Sequence, residues 1–261
     1  MTKSRVIEFA EGALRLEING ALATLILNRP RQRNALNRAM WAAIPDVVGR
    51  VAGQVEVRVL IVRGAGGHFA SGADIAEFPD VFASRQNAIE YTQTLERATD
   101  ALASLDRPVI AAIEGYCIGG GLAVALACDL RICSDTARLG VPPAKLGVMY
   151  SLSDTRRLMR AVGSAVAKDM IFTADLMTAN RALTTGLVTE THTAAEFETA
   201  VSAKADKIAG LSAWTMRQTK AVVALVEQGV TADTDETRGW FGDAAEQEAF
   251  HAAIRRFNGT G

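Results

Sequence analysis

Cysteine is scarce in this 261-residue chain, and the three present, Cys117, Cys128 and Cys133, make neither a CxxC pair nor an even set for disulfides. With only 3 histidines beside them, no zinc-ligand spacing can be assembled. They read as reduced core thiols of a cytoplasmic protein, and no metal is expected. A surplus of either charge is also missing: Lys and Arg total 28 against 29 Asp and Glu, a formal net charge of −1. Without a basic stripe there is no counterion-releasing surface for nucleic acid, so no nucleic-acid partner is expected. Proline is rare at 6 residues, whereas glycine reaches 22 and hydrophobic residues 49%, which excludes wholesale disorder and suits a compact chain with many tight turns.

Long uninterrupted apolar runs are absent as well. The most apolar window, residues 108–128, has about the length of a bilayer span but contains Glu114, Gly115 and Gly119-Gly120-Gly121. It reads as a buried strand-turn-helix, and no membrane partner is expected. The opening MTKSRVIEFAEG has no signal-like apolar run, and Glu8 and Glu11 disfavour a transit peptide, so the mature chain is expected to start near Met1.

What is present alternates strand and helix patterns. Leu14, Leu16 and Ile18, the pair Asn19-Gly20, then Leu22 and Leu25-Ile26-Leu27 predict a hairpin turning at Asn19-Gly20. Met40, Ile44, Val47 and Val51 recur at helical spacing, with Pro45 expected to bend or interrupt the helix. A buried strand follows over 57–62, a helix over 88–105 and a strand over 109–113. This order predicts an α/β fold with parallel strands. Roughly 150 residues per domain gives one to two domains, and no Pro/Ser-rich linker divides the chain. Beyond 190–200 the pattern is helical, over 195–209, 212–228 and 244–256, with faces suited to packing on a neighbouring element or subunit.

Two glycine-containing loops leave predicted strands: His68-Phe69-Ala70-Ser71-Gly72-Ala73-Asp74-Ile75 and Gly115-Tyr116-Cys117-Ile118-Gly119-Gly120-Gly121. A helix opening at Gly120 would present free N–H groups and the positive end of its dipole to developing negative charge. The alternative is that these glycines serve close packing alone. The helix they would open, Leu122-Ala123-Val124-Ala125-Leu126-Ala127-Cys128, is apolar all round and therefore central.

FASGADIAEF and AAIEGYCIGGGLAVALACDLRI, with LNRPRQRNAL at 27–36, RLGVPPAKLGV at 138–148, ALTTGLV at 182–188 and the weaker EAFHAAIRRF tail at 248–257, resemble the crotonase, or enoyl-CoA hydratase/isomerase, superfamily. The resemblance covers most of the chain. It implies a superhelix of ββα units over 1–195 and a C-terminal helical region over 196–261 that assembles trimers or hexamers. It further implies an acyl-CoA substrate, with coenzyme A entering only as part of that substrate and no other cofactor. By the same resemblance the oxyanion hole falls on the backbone N–H groups of Ser71 and Gly120. The substrate would lie along Arg31, the backbone of Ala70, Ser71, Gly72, Ala73, Asp74 and Ile75, and Gly119, Gly120 and Gly121. The family often has a lysine where this chain has Ala76.

The two glutamates that position and deprotonate water in typical hydratases correspond to Ala123 and Pro143, which cannot transfer protons. The dehalogenase nucleophile corresponds to Ser151. Tyr150 matches the tyrosine of the methylmalonyl-CoA decarboxylase branch, which also has a histidine at the position of Ala73. Tyr150 either orients a carboxylate or protonates the product, or simply packs with its hydroxyl bonded to backbone. Asp154 either helps cap the helix after Ser151 and Ser153 or transfers a proton. His68 is read as a solvated loop residue, Glu77, Glu114 and Asp129 as structural, and Trp41, Trp214 and Trp240 as packing residues. The resemblance thus implies enolate chemistry other than standard hydration, with non-catalytic acyl-CoA carriage, weak hydration or a methylmalonyl-CoA-decarboxylase-like activity as alternatives.

Overall fold

The computed structural model describes residues 5–259, so the expected start at Met1 lies outside the described residues. Three antiparallel strands open the fold: β1 (Arg5–Phe9), β2 (Leu14–Asn19) and β3 (Leu22–Leu27). The hairpin forms as expected, but its turn is Gly20-Ala21, one residue later than the expected pair. Asn19 still pairs with Leu22, and it is Gly20 that takes the positive φ of +57°. Next comes α1 (Arg38–Ala52), capped by Asn37, whose side chain accepts from Met40 N. Contrary to expectation, Pro45 does not interrupt it: six apolar side chains from Met40 to Val51 are buried along its length, and that packing outweighs the missing hydrogen bond.

Then follow β4 (Val59–Gly64), the single turn α2 (Phe78–Val81), α3 (Arg85–Ser104), β5 (Val109–Ile113), β6 (Tyr116–Ile118) and α4 (Gly120–Ala127). The chain continues through β7 (Leu130–Ser134), β8 (Arg138–Gly140), α5 (Leu152–Thr173), β9 (Met177–Thr178), α6 (Ala179–Thr184) and β10 (Glu190–His192). The large sheet has the order β1-β2-β3-β4-β5-β7-β10, parallel from β3 onward, and β6-β8-β9 form a second, smaller sheet. This is the expected α/β architecture.

β4 and β5 are apolar at nearly every position because both faces are covered. Leu60, Val62, Val109, Ala111 and Ile113 join the main core beneath α1, α3 and α4. Val59, Ile61, Ile110, Ala112 and Ile132 face the other way, against Phe197, Val201 and Ala205 of α7 (Phe197–Ala209). The remaining helices are α8 (Ala213–Glu227), α9 (Asp235–Asp243) and α10 (Glu248–Phe257). The helix α9 was not foreseen from the sequence, and the expected helix over 244–256 splits into a short 3-10 turn and α10. None of α8, α9 and α10 has a buried residue, and Phe241 and Phe257 are 87% and 90% exposed.

All three cysteines are buried and unpaired, and burial pushes their thiols upward in pKa. Among the described residues no helix is long and apolar enough to cross a membrane.

Candidate active site

The two glycine loops meet at the start of α4. The loop leaving β4 is stitched to its neighbours through main-chain hydrogen bonds. Phe69 N–H donates to Glu114 O at 2.8 Å, Ala70 N–H to Tyr116 O at 2.9 Å, and Ile118 N–H back to Ala70 O at 3.0 Å. Further along, Leu36 N–H donates to Gly72 O and Asp74 N–H to Leu36 O, at 2.8 and 2.9 Å.

Two side chains brace the loop. Asn34, fully buried at φ +57°, donates through Nδ2 to the carbonyls of Ala65 and His68 and accepts from Arg29 N–H through Oδ1. The Arg29 guanidinium donates to Asp74 Oδ2 and to Ala35 O, both at 2.7 Å. Asp74 in turn caps the short turn after it by accepting from Ala76 N–H.

Gly120 is the first residue of α4, so its N–H has no acceptor within the helix. A Cβ placed there would stand 3.3 Å from the backbone nitrogen of Ala73. The N–H of Ala73 donates to no acceptor among the described residues, since the bridge to Leu36 uses only the groups flanking it. Ser71 is different: its N–H donates to Arg33 O at 2.9 Å, and its hydroxyl contacts Gln32 O. The expected pairing of Ser71 with Gly120 thus meets a Ser71 amide already bonded within the loop. Ser71 spends its donor on fixing the loop, and the unpaired N–H beside Gly120 belongs to Ala73. Side-chain identity carries no signal for this distinction, because only the course of the backbone decides which amide is left over.

Ala123 is buried on α4 at 2% exposure, and Pro143 is buried in a 3-10 turn, so both positions present apolar surface. Tyr150 is half-buried against the core, with its hydroxyl 3.4 Å from Gly119 O, the carbonyl just before α4. Burial holds its phenol well above its ordinary pKa, and the Asp154 charge pushes it the same way. It is therefore a protonated donor at neutral pH, bonded to backbone as one of its two readings required.

Asp154 lies in the first turn of α5 behind the N-cap Ser151. Ser151 Oγ accepts from Asp154 N–H and donates to Asp154 Oδ2 at 2.8 Å, while Arg157 donates through Nη1 to Asp154 Oδ1 at 3.3 Å and to Thr99 Oγ1, and through Nη2 to Asp100. Desolvation raises the Asp154 pKa, and the bonds from Ser151 and Arg157 only partly offset the rise. Ser151 provides the cap, and Asp154 braces it.

A pH signature follows. An acid whose folded-state pKa lies above its unfolded value favours the fold below the usual carboxylate range and loses that contribution as pH rises through the folded pKa. Thermal unfolding of Asp154→Asn beside the parent should show the parent losing ground to the variant from acid to neutral pH. A gap that widened in the parent's favour would contradict the burial argument.

Arg31 is exposed in the 3-10 turn Pro30–Gln32 and makes no ion pair among the described residues, so it is available to an anionic ligand. His68 is corrected: rather than being solvated, it stacks on Tyr116 at 5.0 Å, and its Nδ1 accepts from Tyr116 N–H. Arg33 stands over the same Tyr116 ring at 5.2 Å. Glu77 accepts from Arg38 N–H, Glu114 pairs with Arg63, and Asp129 accepts from Val109 N–H and Lys220, all structural as expected. Trp41 is fully buried, whereas Trp214 and Trp240 are half-buried. A cavity of about 730 Å³ lies at the other end of α4, against α5 and α8, and none of the residues around Gly120 lines it.

Comparison with known proteins gives a consistent answer. A family model described as enoyl-CoA hydratase/isomerase matches residues 17–260. The chain is 34% identical over 238 residues to a short-chain-enoyl-CoA hydratase of Clostridium acetobutylicum, covering 90% of this chain and 87% of that one. It is also 34% identical to a crotonyl-CoA hydratase of Syntrophomonas wolfei, covering 88% and 86%. Among solved structures, an enoyl-CoA hydratase/isomerase family protein from Hyphomonas neptunium superposes with a TM-score of 0.90 at 39% identity over 94% of both chains.

Proposed function

Because the chain belongs to the enoyl-CoA hydratase/isomerase family, we propose that it binds an acyl-CoA thioester and stabilises the thioester enolate between the N–H groups of Gly120 and Ala73, by chemistry other than two-glutamate hydration. The observation that carries this reading is the pair of unspent backbone donors side by side at the positive end of a buried, apolar helix. Such donors are fixed before reaction and aim at the oxygen where charge develops, so they need no reorganisation as the enolate forms. Gly119, Gly121 and the 70–75 loop would frame the thioester, with exposed Arg31 toward the phosphates of the coenzyme A arm.

Hydration needs a base for water and an acid for the α-carbon, and apolar Ala123 and Pro143 supply neither. Decarboxylation of a malonyl-type thioester asks for less. The bond from the α-carbon to the carboxylate breaks, its electron pair enters the enolate, carbon dioxide leaves, and a proton then returns to the α-carbon. Tyr150, a protonated phenol at the mouth of α4, is the donor we assign to that last step. The apolar positions equally suit a protein that carries acyl-CoA without transforming it. We further propose a cytoplasmic homotrimer or hexamer, for which the exposed apolar residues of α8, α9 and α10 provide contact surface.

Titrating crotonyl-CoA calorimetrically while following its conjugated thioester absorbance tests the reading, with a malonyl-type thioester as the second substrate. The expected result is binding without hydration, turnover of the malonyl-type thioester, and slower turnover in Tyr150→Phe. Rapid hydration of crotonyl-CoA would overturn the non-hydratase reading. Tight binding with no turnover of any thioester would establish carriage.

A further inference from the structure

Three of the glycines where the two loops meet are pressed against main chain. A Cβ on Gly72 would first meet Ile118 O at 3.2 Å, one on Gly119 the α-carbon of Gly72 at 3.9 Å, and one on Gly121 the carbonyl oxygen of Ala70 at 2.5 Å. Gly120 differs. Its Cβ would first meet a side chain, Cζ2 of Trp41 at 2.9 Å, with Ala73 N next at 3.3 Å. The α-carbon next to one unspent donor therefore rests between an indole edge on α1 and the amide that is the other donor. Main chain presents the same atoms whatever the sequence, whereas the stop at Gly120 depends on which residue occupies position 41.

That indole is a rigid stop. Trp41 is fully buried in the main core, together with Met40 and Ile44 of its own helix and Tyr91 of α3. Its N–H is directed at the Tyr91 phenol oxygen: burial raises that phenol to about 12, and the Trp41 N–H works against the rise. Both atoms are sealed from solvent, and neither has a hydrogen bond of normal geometry among the described residues. Turning the ring would take the N–H from its polar neighbour into apolar surroundings, which costs free energy. Cζ2 and Nε1 are bonded to the same ring carbon, so whatever holds the N–H also holds the edge that faces Gly120.

We propose that Trp41 is a positioning residue of the oxyanion hole: its indole edge sets where the Gly120 N–H stands beside the Ala73 N–H, without touching the substrate. This inference rests on the acyl-CoA reading above. Two donors serve one oxygen only if both point at it, and a hydrogen bond weakens steeply with misalignment. Residue 41 thereby also dictates glycine at position 120. A shorter ring at 41 leaves room for a methyl at 120, so the two changes together should fit where Gly120→Ala alone does not. Ordinary core packing makes no such demand: it would alter stability and leave the polarisation of a bound thioester as it is.

The test is the infrared stretch of crotonyl-CoA, isotopically labelled at its thioester carbonyl and bound to the full chain, to Trp41→Phe, to Gly120→Ala and to the double variant, with calorimetric affinity and thermal unfolding of each. Hydrogen bonds from both amides should move the carbonyl to lower frequency in the parent than in free ligand. Trp41→Phe should lose much of that shift while keeping its affinity, because the coenzyme A arm is untouched. Turnover of the malonyl-type thioester should fall about ten-fold in kcat with KM little changed, the scale of a small misplacement. Gly120→Ala should then cost about ten-fold less in the Trp41→Phe background than in the parent, with the shift partly restored. In a protein that carries acyl-CoA without turnover, the shift decides alone. If Trp41→Phe does not fold, Trp41→Met, which fills the space with a flexible chain, takes its place. An undiminished shift in the folded variant, or an equal cost of Gly120→Ala in both backgrounds, would overturn the positioning role and leave the hole intact. Binding to the parent without a shift would overturn the hole, and failure to bind would overturn the acyl-CoA reading itself.

Discussion

Gly120→Ala is expected to reduce turnover of the preferred thioester by about a hundred-fold or more, the scale of losing one oxyanion donor. It should also destabilise the protein by about 1–3 kcal/mol, as overpacking does. The added methyl would meet Trp41 Cζ2 at 2.9 Å and Ala73 N at 3.3 Å. Neither neighbour is a flexible side-chain end. The indole is locked in the core at 0% exposure, and the Ala73 amide is held by Gly72 and Asp74, both bonded to Leu36. Relief therefore has to come from the first turn of α4 or from the loop, and either movement separates the two donors.

Gly49→Ala is the matched control. Its Cβ meets nothing within 4 Å, and Gly49 lies inside α1, so stability should rise by about 0.5–1 kcal/mol with turnover unchanged. Steady-state kinetics and thermal unfolding of the two variants settle the point. Full turnover in Gly120→Ala would remove Gly120 from the reaction.

Asn34→Ala should be the most damaging change of a single polar side chain. Its amide serves Ala65 O at 2.8 Å and His68 O at 2.7 Å, and its carbonyl oxygen receives Arg29 N–H at 3.0 Å. Truncation strands three main-chain groups around a fully buried position, at about 1–3 kcal/mol each where water does not enter. We expect a loss of about 3 kcal/mol or more in urea unfolding at an unchanged m-value. Asn34→Asp should fare no better, because a carboxylate would face two carbonyl oxygens. Ligand binding should weaken in both variants, since Asn34 holds the two ends of the segment that leads to Ala73. A loss below about 1 kcal/mol would mean that water replaces the amide at these carbonyls.

The hairpin, the helix over Met40 to Val51, the strand Val109–Ile113 and the apolar helix after Gly120 were legible in the sequence. Each rests on local periodicity or turn chemistry, and packing did not overrule either. The family, too, was legible, because its motifs occur in order along one chain. Less legible were features whose cause is distant. Pro45 stays helical because six buried neighbours hold α1. His68 looked like a loop residue until Tyr116, 48 positions away, supplied both a stacking face and an N–H.

The division is sharpest at the candidate site. Sequence alone determined which side chains are unable to move a proton, Ala123 and Pro143 among them, because that is a property of the residue. It also determined that glycines crowd the start of α4. Tertiary structure alone decided that Ser71 spends its N–H on Arg33 while Ala73 keeps its own, and that Trp41 packs its indole against Gly120. Every residue but proline carries the same amide, so which amide is free depends on where the chain comes to lie beside itself.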